Sequence, residues 1–336
     1  MRAALATAYG APLELSDVAD PEIGPADLLL RVTASGVCAT DLKVIEGGLG
    51  ANPDMLPRIP GHEIVGTVES LGADVTSFKV GDAIATHSLF SCLECEFCLA
   101  GEEEACPTGI PNLAGVGVDG GYAELVRVPA AHALPLPPSL DPVEAAPLLC
   151  AGLTVYSGLK NANLQPGQRV AVLGIGGLGH LAIPIAKAMG ADVIAVTGSE
   201  DKAATARELG AIEVTNAAAA AATLQALGGA HVVLNTADAP EPLLGVMMGM
   251  RPQSTLVLVT TSVGDLLPIP TPLMMGLQMR IVASFFGSRA DLSELLDLAV
   301  EHNIRPITEV FPLDEVNNVH DRLRQNQVRY RAVLTP

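Results

Sequence analysis

The rhythm of hydrophobic and polar positions changes near residue 140. Before that point apolar runs are short and broken by Pro and Gly. Examples are Leu28-Leu29-Leu30-Arg31-Val32, Ile64-Val65-Gly66-Thr67-Val68 and Ala123-Glu124-Leu125-Val126-Arg127-Val128. Short β-rich runs between turn residues predict strands, and many of them together predict a distorted antiparallel barrel. Asp141-Pro142-Val143-Glu144 predicts a helix start, with Asp141 as N-cap and Pro142 where its missing N–H costs nothing. From about residue 168 strands alternate with helices, the pattern of a parallel α/β sheet. Arg169-Val170-Ala171-Val172-Leu173 predicts a strand, succeeded by a glycine-rich turn and a helix over 181–189 that Gly190 closes. A strand over 193–196 comes next, then a helix over 201–209 stopped by Gly210, with further strands at 232–234 and 255–259. Six alanines over 217–222 favour the opening of a surface helix.

At 336 residues the chain is too long for one ordinary core, so two domains are expected. The fold class is α/β, a barrel-like domain joined to a doubly wound parallel-sheet domain. A net charge of −18 repels phosphate backbones and anionic lipid, and the chain has no Trp for stacking on bases. Neither nucleic acid nor membrane is an expected partner. The N-terminus lacks the apolar stretch of a signal peptide. The longest uncharged apolar run, 170–186, holds four glycines and a proline and suits strand, turn and helix better than a membrane span. A cytoplasmic protein is expected.

Six cysteines in 336 residues are too sparse for a disulfide scaffold. Four form Cys92-x2-Cys95-x2-Cys98-x7-Cys106 in a loop rich in Gly and Glu. Four thiolates at this spacing can close a tetrahedral zinc shell with no open position, a structural site. An iron–sulfur cluster, redox-active thiols and inert core cysteines are the alternatives.

Gly174-Ile175-Gly176-Gly177-Leu178-Gly179 lies between a predicted strand and a predicted helix, where a dinucleotide turn belongs. Gly174 permits the tight turn, Gly176 lets backbone approach a pyrophosphate, and Gly179 allows close helix–strand packing. At the end of the second strand, where a carboxylate would select NAD, stands Thr197, with Ser199 and Lys202 just beyond. With no acid there to repel a 2′-phosphate, NADP is favoured over NAD. Glu200 and Asp201 weigh mildly the other way, and an ordinary helix cap at Ser199 is the alternative.

Cys38 and Cys150 remain, together with Gly61-His62-Glu63. Two cysteines and a histidine are a known ligand set for catalytic zinc, which keeps its fourth position for water or substrate. Glu63 could approach the metal, and Asp41 could accept the other ring N–H of His62. Spacing alone leaves a polar turn at His62 open as the alternative.

These segments occur in family order: Gly36-Val37-Cys38-Ala39-Thr40-Asp41-Leu42, Gly61-His62-Glu63-Ile64-Val65-Gly66, the four-cysteine loop, Cys150-Ala151-Gly152-Leu153-Thr154-Val155-Tyr156 and the glycine turn. The chain resembles the zinc-dependent alcohol dehydrogenases of the medium-chain dehydrogenase/reductase superfamily, in their compact bacterial and yeast form. The resemblance implies a GroES-like catalytic domain over 1–151, a Rossmann domain over 152–286 and a return to the catalytic domain over 287–336. It implies two zinc ions, a catalytic one on Cys38, His62 and Cys150 with Glu63 close by, and a structural one on the loop cysteines. Thr40 would hand the proton to or from substrate, Arg331 would reach the cofactor pyrophosphate, and Thr154 would lie by the nicotinamide. Leu49 and His87 would wall the substrate pocket. Two positions depart from the family pattern: Ala39 replaces a basic residue or His, and Lys43 replaces the relay His. The expected activity is hydride transfer between NAD(P)(H) and a primary alcohol or aldehyde, by a homodimer or homotetramer. A polyol or secondary-alcohol dehydrogenase, and a non-catalytic nucleotide-binding protein, are the alternatives.

Overall fold

The computed structural model describes residues 1–48, 52–237, 240–260 and 269–336. It divides into two compact units. One is Met1–Cys150 with Ser288–Val300 and Arg305–Pro336, and the other is Ala151–Gly287 with Glu301–Ile304.

The first unit is built on one long strand, Asp27–Val37, which hydrogen-bonds to three others: Arg331–Thr335, Glu63–Leu71 and Leu125–Pro129. Ala83–Thr86 and Ala133–Pro135 continue the sheet on one side, and Thr308–Pro312 closes it on the other. Pairing is antiparallel except between Thr308–Pro312 and Arg331–Thr335. The first two expected strands lie inside Asp27–Val37 and Glu63–Leu71, and the third, expected over 123–128, is observed as Leu125–Pro129. Alternate residues Leu28, Leu30 and Val32 face Ile64, Val68, Ile84, Val126 and Val128 in a buried core, as period-two patterning requires. Register slips between Val32 and Ala34, so Gly36 stands opposite Glu63. A bulge of this kind bends a strand and re-aims the residues beyond it. Arg2–Leu5 and Glu14–Asp17 form a separate hairpin. Asp141 caps the short helix Pro142–Ala145, accepting the Val143 N–H at 2.8 Å.

The second unit is a six-stranded, wholly parallel sheet. Its order is Glu213–Thr215, Asp192–Val196, Arg169–Leu173, Ala230–Asn235, Met250–Leu258 and Arg280–Ala283. Numbered along the chain this is 3-2-1-4-5-6, the doubly wound order that reverses beside its first strand. The run 170–186 is strand, turn and the helix Gly179–Ala188. The polyalanine segment contributes less helix than expected. Residues 217–219 form a turn and the helix is Ala220–Ala226, anchored by buried Ala220 and Leu224. Among the described residues no helix is long and apolar enough to cross a membrane.

Candidate active site

In the first unit the long strand delivers Cys38 to the N-cap of the helix Ala39–Ile45. Cys38 Sγ accepts the Thr40 N–H at 3.5 Å, and Asp41 Oδ2 reaches back to the Cys38 N–H at 2.9 Å. This reciprocal cap fixes the thiol and the carboxylate together. Asp41 is wholly buried, and its Oδ1 meets His62 Nδ1 at 2.8 Å. With Nδ1 held, Nε2 is the nitrogen left to bind a metal, and it lies 3.2 Å from Cys150 Sγ. Cys38, His62, Glu63 and Cys150 are all buried, with one donor atom each within 4.8 Å of the others. Glu63 Oε1 pairs with Arg331, while Glu63 Oε2 is buried with no partner.

The four groups shift one another's titration. Burial opposes charge on His62, but the Asp41 carboxylate overrides it and raises the imidazole well above its ordinary value. The hydrogen bond from Cys150 pulls the Cys38 thiol well below its ordinary value, and the same bond, with burial, pushes Cys150 up. Burial raises Glu63 to about 7 against the pull of Arg331. Two thiols, an oriented imidazole and an orphaned carboxylate oxygen, all buried and converging, suit zinc. Thr40 is half-buried in the first turn of the helix and Lys43 half-buried in its last. Arg331 opens the strand Arg331–Thr335 and is buried against Glu63. His87 is wholly buried, its ring 6.2 Å from that of His132. Leu49 lies outside the described residues.

The loop cysteines converge independently. Cys95 is the N-cap of the helix Glu96–Ala100, and Cys106 comes directly after the 3-10 turn Glu103–Ala105. Sulfur separations are 3.5 Å for Cys95–Cys98, 3.6 Å for Cys92–Cys106 and 3.9 Å for Cys92–Cys98. A tetrahedron of Zn–S bonds of about 2.3 Å has edges of about 3.8 Å, so the thiols already stand at zinc spacing. Burial works against charge on Cys106, but the Cys92 N–H and the Thr108 hydroxyl bring it down to about 6. Cys98 is pushed by burial up to about 12. The loop is tied down by Arg289, which forks onto buried Glu103 at 2.8–3.0 Å.

In the second unit Arg169–Leu173 runs into Gly174 at φ 89°, a left-handed turn that glycine takes without strain. A Cβ at Gly179 would collide with the Gly174 carbonyl, whereas one at Gly176 would meet open space. The turn is therefore closed on its packing side and open where a pyrophosphate would approach. Gly177 and Leu178 complete it, with Leu178 the N-cap of the helix. Thr154 is buried in the helix Ala151–Asn161. Thr197 stands directly after the strand Asp192–Val196, and its Oγ1 accepts the Ser199 N–H at 3.3 Å. The Ser199 hydroxyl donates to Asp201, and Lys202 is half-buried in the helix Glu200–Glu208.

Tyr122 is a site residue that the sequence motifs did not mark. It is wholly buried and donates its hydroxyl to Asp41 Oδ2 at 2.9 Å. The signal was Gly120-Gly121 before it: a Cβ on Gly120 would strike the Gly61 carbonyl, so the pair brings this loop against the His62 turn.

Comparison with known proteins agrees with this geometry. Residues 24–138 match the alcohol dehydrogenase GroES-like domain, and residues 177–301 match the zinc-binding dehydrogenase family. An alcohol dehydrogenase of Geobacillus stearothermophilus is 39% identical over 99% of this chain and 98% of its own. The crystal structure of the alcohol dehydrogenase from the archaeon Aeropyrum pernix superposes with a TM-score of 0.90 at 32% identity, covering 100% of both chains. A solved NAD-dependent alcohol dehydrogenase gives 0.92 at 31%, also covering 100% of both. Similarity that runs the full length at these identities settles the lineage: the chain belongs to the zinc-dependent alcohol dehydrogenases of the medium-chain dehydrogenase/reductase superfamily, and it is an oxidoreductase.

Proposed function

We propose that the protein interconverts primary alcohols and aldehydes, using NADP(H) in preference to NAD(H), with two zinc ions per chain. One zinc is held by Cys38, His62 and Cys150 with Glu63 at hand, and the other by Cys92, Cys95, Cys98 and Cys106. Zinc at the first site supplies Lewis acidity, and the nicotinamide supplies or accepts the hydride. Thr40 passes the alcohol proton; its hydroxyl pKa is too high for a base, so it relays. Lys43 adds a charge one turn further along the helix. Residues 174–179 are assigned to the pyrophosphate, Arg331 to cofactor binding and Thr154 to the nicotinamide. Leu49 and His87 are assigned to the substrate pocket. The protein is expected to work in the cytoplasm as a homodimer or homotetramer.

The observation that carries this reading is the Asp41–His62 pair, which frees one imidazole nitrogen among two buried thiols. The cofactor preference is supported by Thr197 where a carboxylate would exclude a 2′-phosphate, and by open space beside Gly198. The Ser199 hydroxyl would exchange Asp201 for a phosphate oxygen, and Lys202 would supply the charge.

Metal analysis of the loaded protein should give two zincs per chain; one zinc would overturn the assignment. Kinetics with benzyl alcohol and benzaldehyde should show higher kcat/KM with NADP(H). Lys202→Ala should weaken NADPH binding by roughly 1.5–3 kcal/mol, the scale of a charged hydrogen bond, and spare NADH. Faster turnover of a polyol or secondary alcohol would reject the substrate class. A preference for NADH would reject the cofactor reading. No turnover of benzyl alcohol or benzaldehyde with either cofactor would reject the primary-alcohol reading.

A further inference from the structure

The N-terminal ends of four adjacent strands in the second unit each carry a basic residue. They are Arg169, His231, Arg251 and Arg280, on Arg169–Leu173, Ala230–Asn235, Met250–Leu258 and Arg280–Ala283. Pairing puts Val170, Val232, Thr255 and Arg280 in one row across the sheet. Arg169, Arg251 and Arg280 are three of the seven Lys and Arg residues of this unit, so the clustering is local and runs against an acidic chain.

The backbone is shaped to present them. From Ala230 to Val232 the neighbouring strand advances from Met250 to Thr255, so residues 251–254 bulge out of the ladder. Gln253 sits at φ 59° within the bulge. Bulges re-aim side chains, and a non-glycine residue stays in the left-handed region only where its surroundings hold it there.

A cavity of about 280 Å³ opens at this edge, lined by His231, Arg251, Arg280, Gln168, Gln253 and Asn163 with neighbouring small residues. Among the described residues its lining contains no carboxylate, although acids outnumber bases 37 to 19 in the chain. The hydrogen-bond inventory is one-sided. The Arg169 backbone N–H donates to His231 Nδ1 at 3.1 Å, so the proton of the neutral ring is on Nε2. Arg251 Nη1 stands 2.5 Å from that Nε2. Two donors face each other, and among the described residues nothing accepts from either. The Arg169 guanidinium is spent on the Gly228 and Gly229 carbonyls at 3.1 and 2.9 Å. Arg251 and Arg280 have no carboxylate partner among the described residues. Burial and the two neighbouring arginines also hold His231 below its ordinary value, which keeps Nε2–H a neutral donor.

We propose that this pocket is an oxyanion site that takes a phosphate group, free or as a small monoester. A phosphate oxygen accepts from both Arg251 Nη1 and His231 Nε2–H, which resolves the donor conflict. The Arg280 fork engages a second oxygen, and the amides of Gln168 and Gln253 supply neutral donors at the rim. The site lies at the opposite end of the strand Arg169–Leu173 from the glycine turn, about 15 Å away at ~3.3 Å per residue. It is therefore separate from the dinucleotide turn, and both can be filled at once.

The test uses the full-length, zinc-loaded protein with saturating NADP⁺, so that the dinucleotide turn is occupied. Equilibrium dialysis with radiolabelled inorganic phosphate, against chloride at matched ionic strength, should give one phosphate per chain at low-millimolar or tighter affinity. Arg251→Gln and Arg280→Gln should each weaken binding tenfold or more, while Arg251→Lys, which keeps the charge, should retain part of it. Both Gln variants should keep wild-type circular dichroism and turnover. Glycerol 3-phosphate competing below the phosphate affinity assigns a monoester, and competing only above it assigns free phosphate; either supports the site. No binding beyond the chloride control, binding abolished by NADP⁺, or equal binding in both Gln variants would overturn it.

Discussion

Asp41 accepts three hydrogen bonds while wholly buried: the Cys38 N–H, the Tyr122 hydroxyl and the His62 ring N–H. One carboxylate thus ties the helix cap, the His62 turn and the 120–122 loop into a single positioning device. Its place three residues after Cys38 made it legible in the sequence, because the cap links those positions locally. Tyr122 was not legible, since its partner is 81 residues away along the chain and an aromatic before a strand reads as core. Tyr122→Phe keeps the ring and removes one donor, leaving Oδ2 with the Cys38 N–H alone. Zinc should leave the Cys38–His62–Cys150 site to a chelator roughly tenfold faster, the low end of what supporting groups of metal ligands contribute. Release from the four-cysteine loop should not change, which serves as the internal control. Asp41→Ala should give the larger effect, up to about 100-fold. Equal release kinetics in Tyr122→Phe and wild type would remove Tyr122 from the device.

At the scale of elements, the features legible in the sequence were those that short range determines. The capped start at Asp141, the strand–turn–helix of 170–186 and the helices ending near Gly190 and Gly210 all depend on neighbours within a turn or two. The polyalanine segment opens a helix as expected, but only from its fourth alanine, because propensity alone does not start a helix. The observed helix begins where Ala220 and Leu224 find a core to pack on. The strand Arg331–Thr335 pairs with Asp27–Val37 across some 300 residues of sequence, a partnership no local pattern encodes. The glycine turn offers a test of element packing. Any side chain at 179 must displace the Gly174 carbonyl and with it the entry of the helix. Gly179→Ala should therefore raise the dissociation constant for NADPH at least tenfold, read by the fluorescence of the reduced nicotinamide. Gly176→Ala meets no protein atom in its way and acts only through what approaches from solvent. A Gly179→Ala protein with wild-type cofactor affinity would show that the turn does not set the helix position.

At the scale of the whole molecule, two buried histidines set a cost on acidification. His132 and His320 both belong to the first unit and are almost fully buried. Burial is the main cause that brings each down to about 4. The neighbours of His132 add their charges: His87 and Arg289 lower it and Glu103 opposes. Around His320, Arg324 lowers it while Asp41, Asp321 and Glu46 oppose. In the unfolded chain a histidine titrates near 6.5. The folded state therefore holds both rings neutral where the unfolded chain would protonate them. Stability from this source is fully present above pH 6.5 and is lost as pH falls from about 6.5 to about 4. At pH 5 the loss comes to roughly 2 kcal/mol per histidine. Urea unfolding at pH 7.5 and at pH 5.0 should give an unfolding free energy lower at pH 5.0 by about twice that amount, one share from each histidine. His320→Gln lacks the titrating ring, so it should lose about half of the pH dependence whatever its stability at pH 7.5. The comparison is thus between slopes rather than absolute stabilities, and it survives a destabilised variant. An equal pH dependence in wild type and His320→Gln would mean that His320 is not held neutral by the fold.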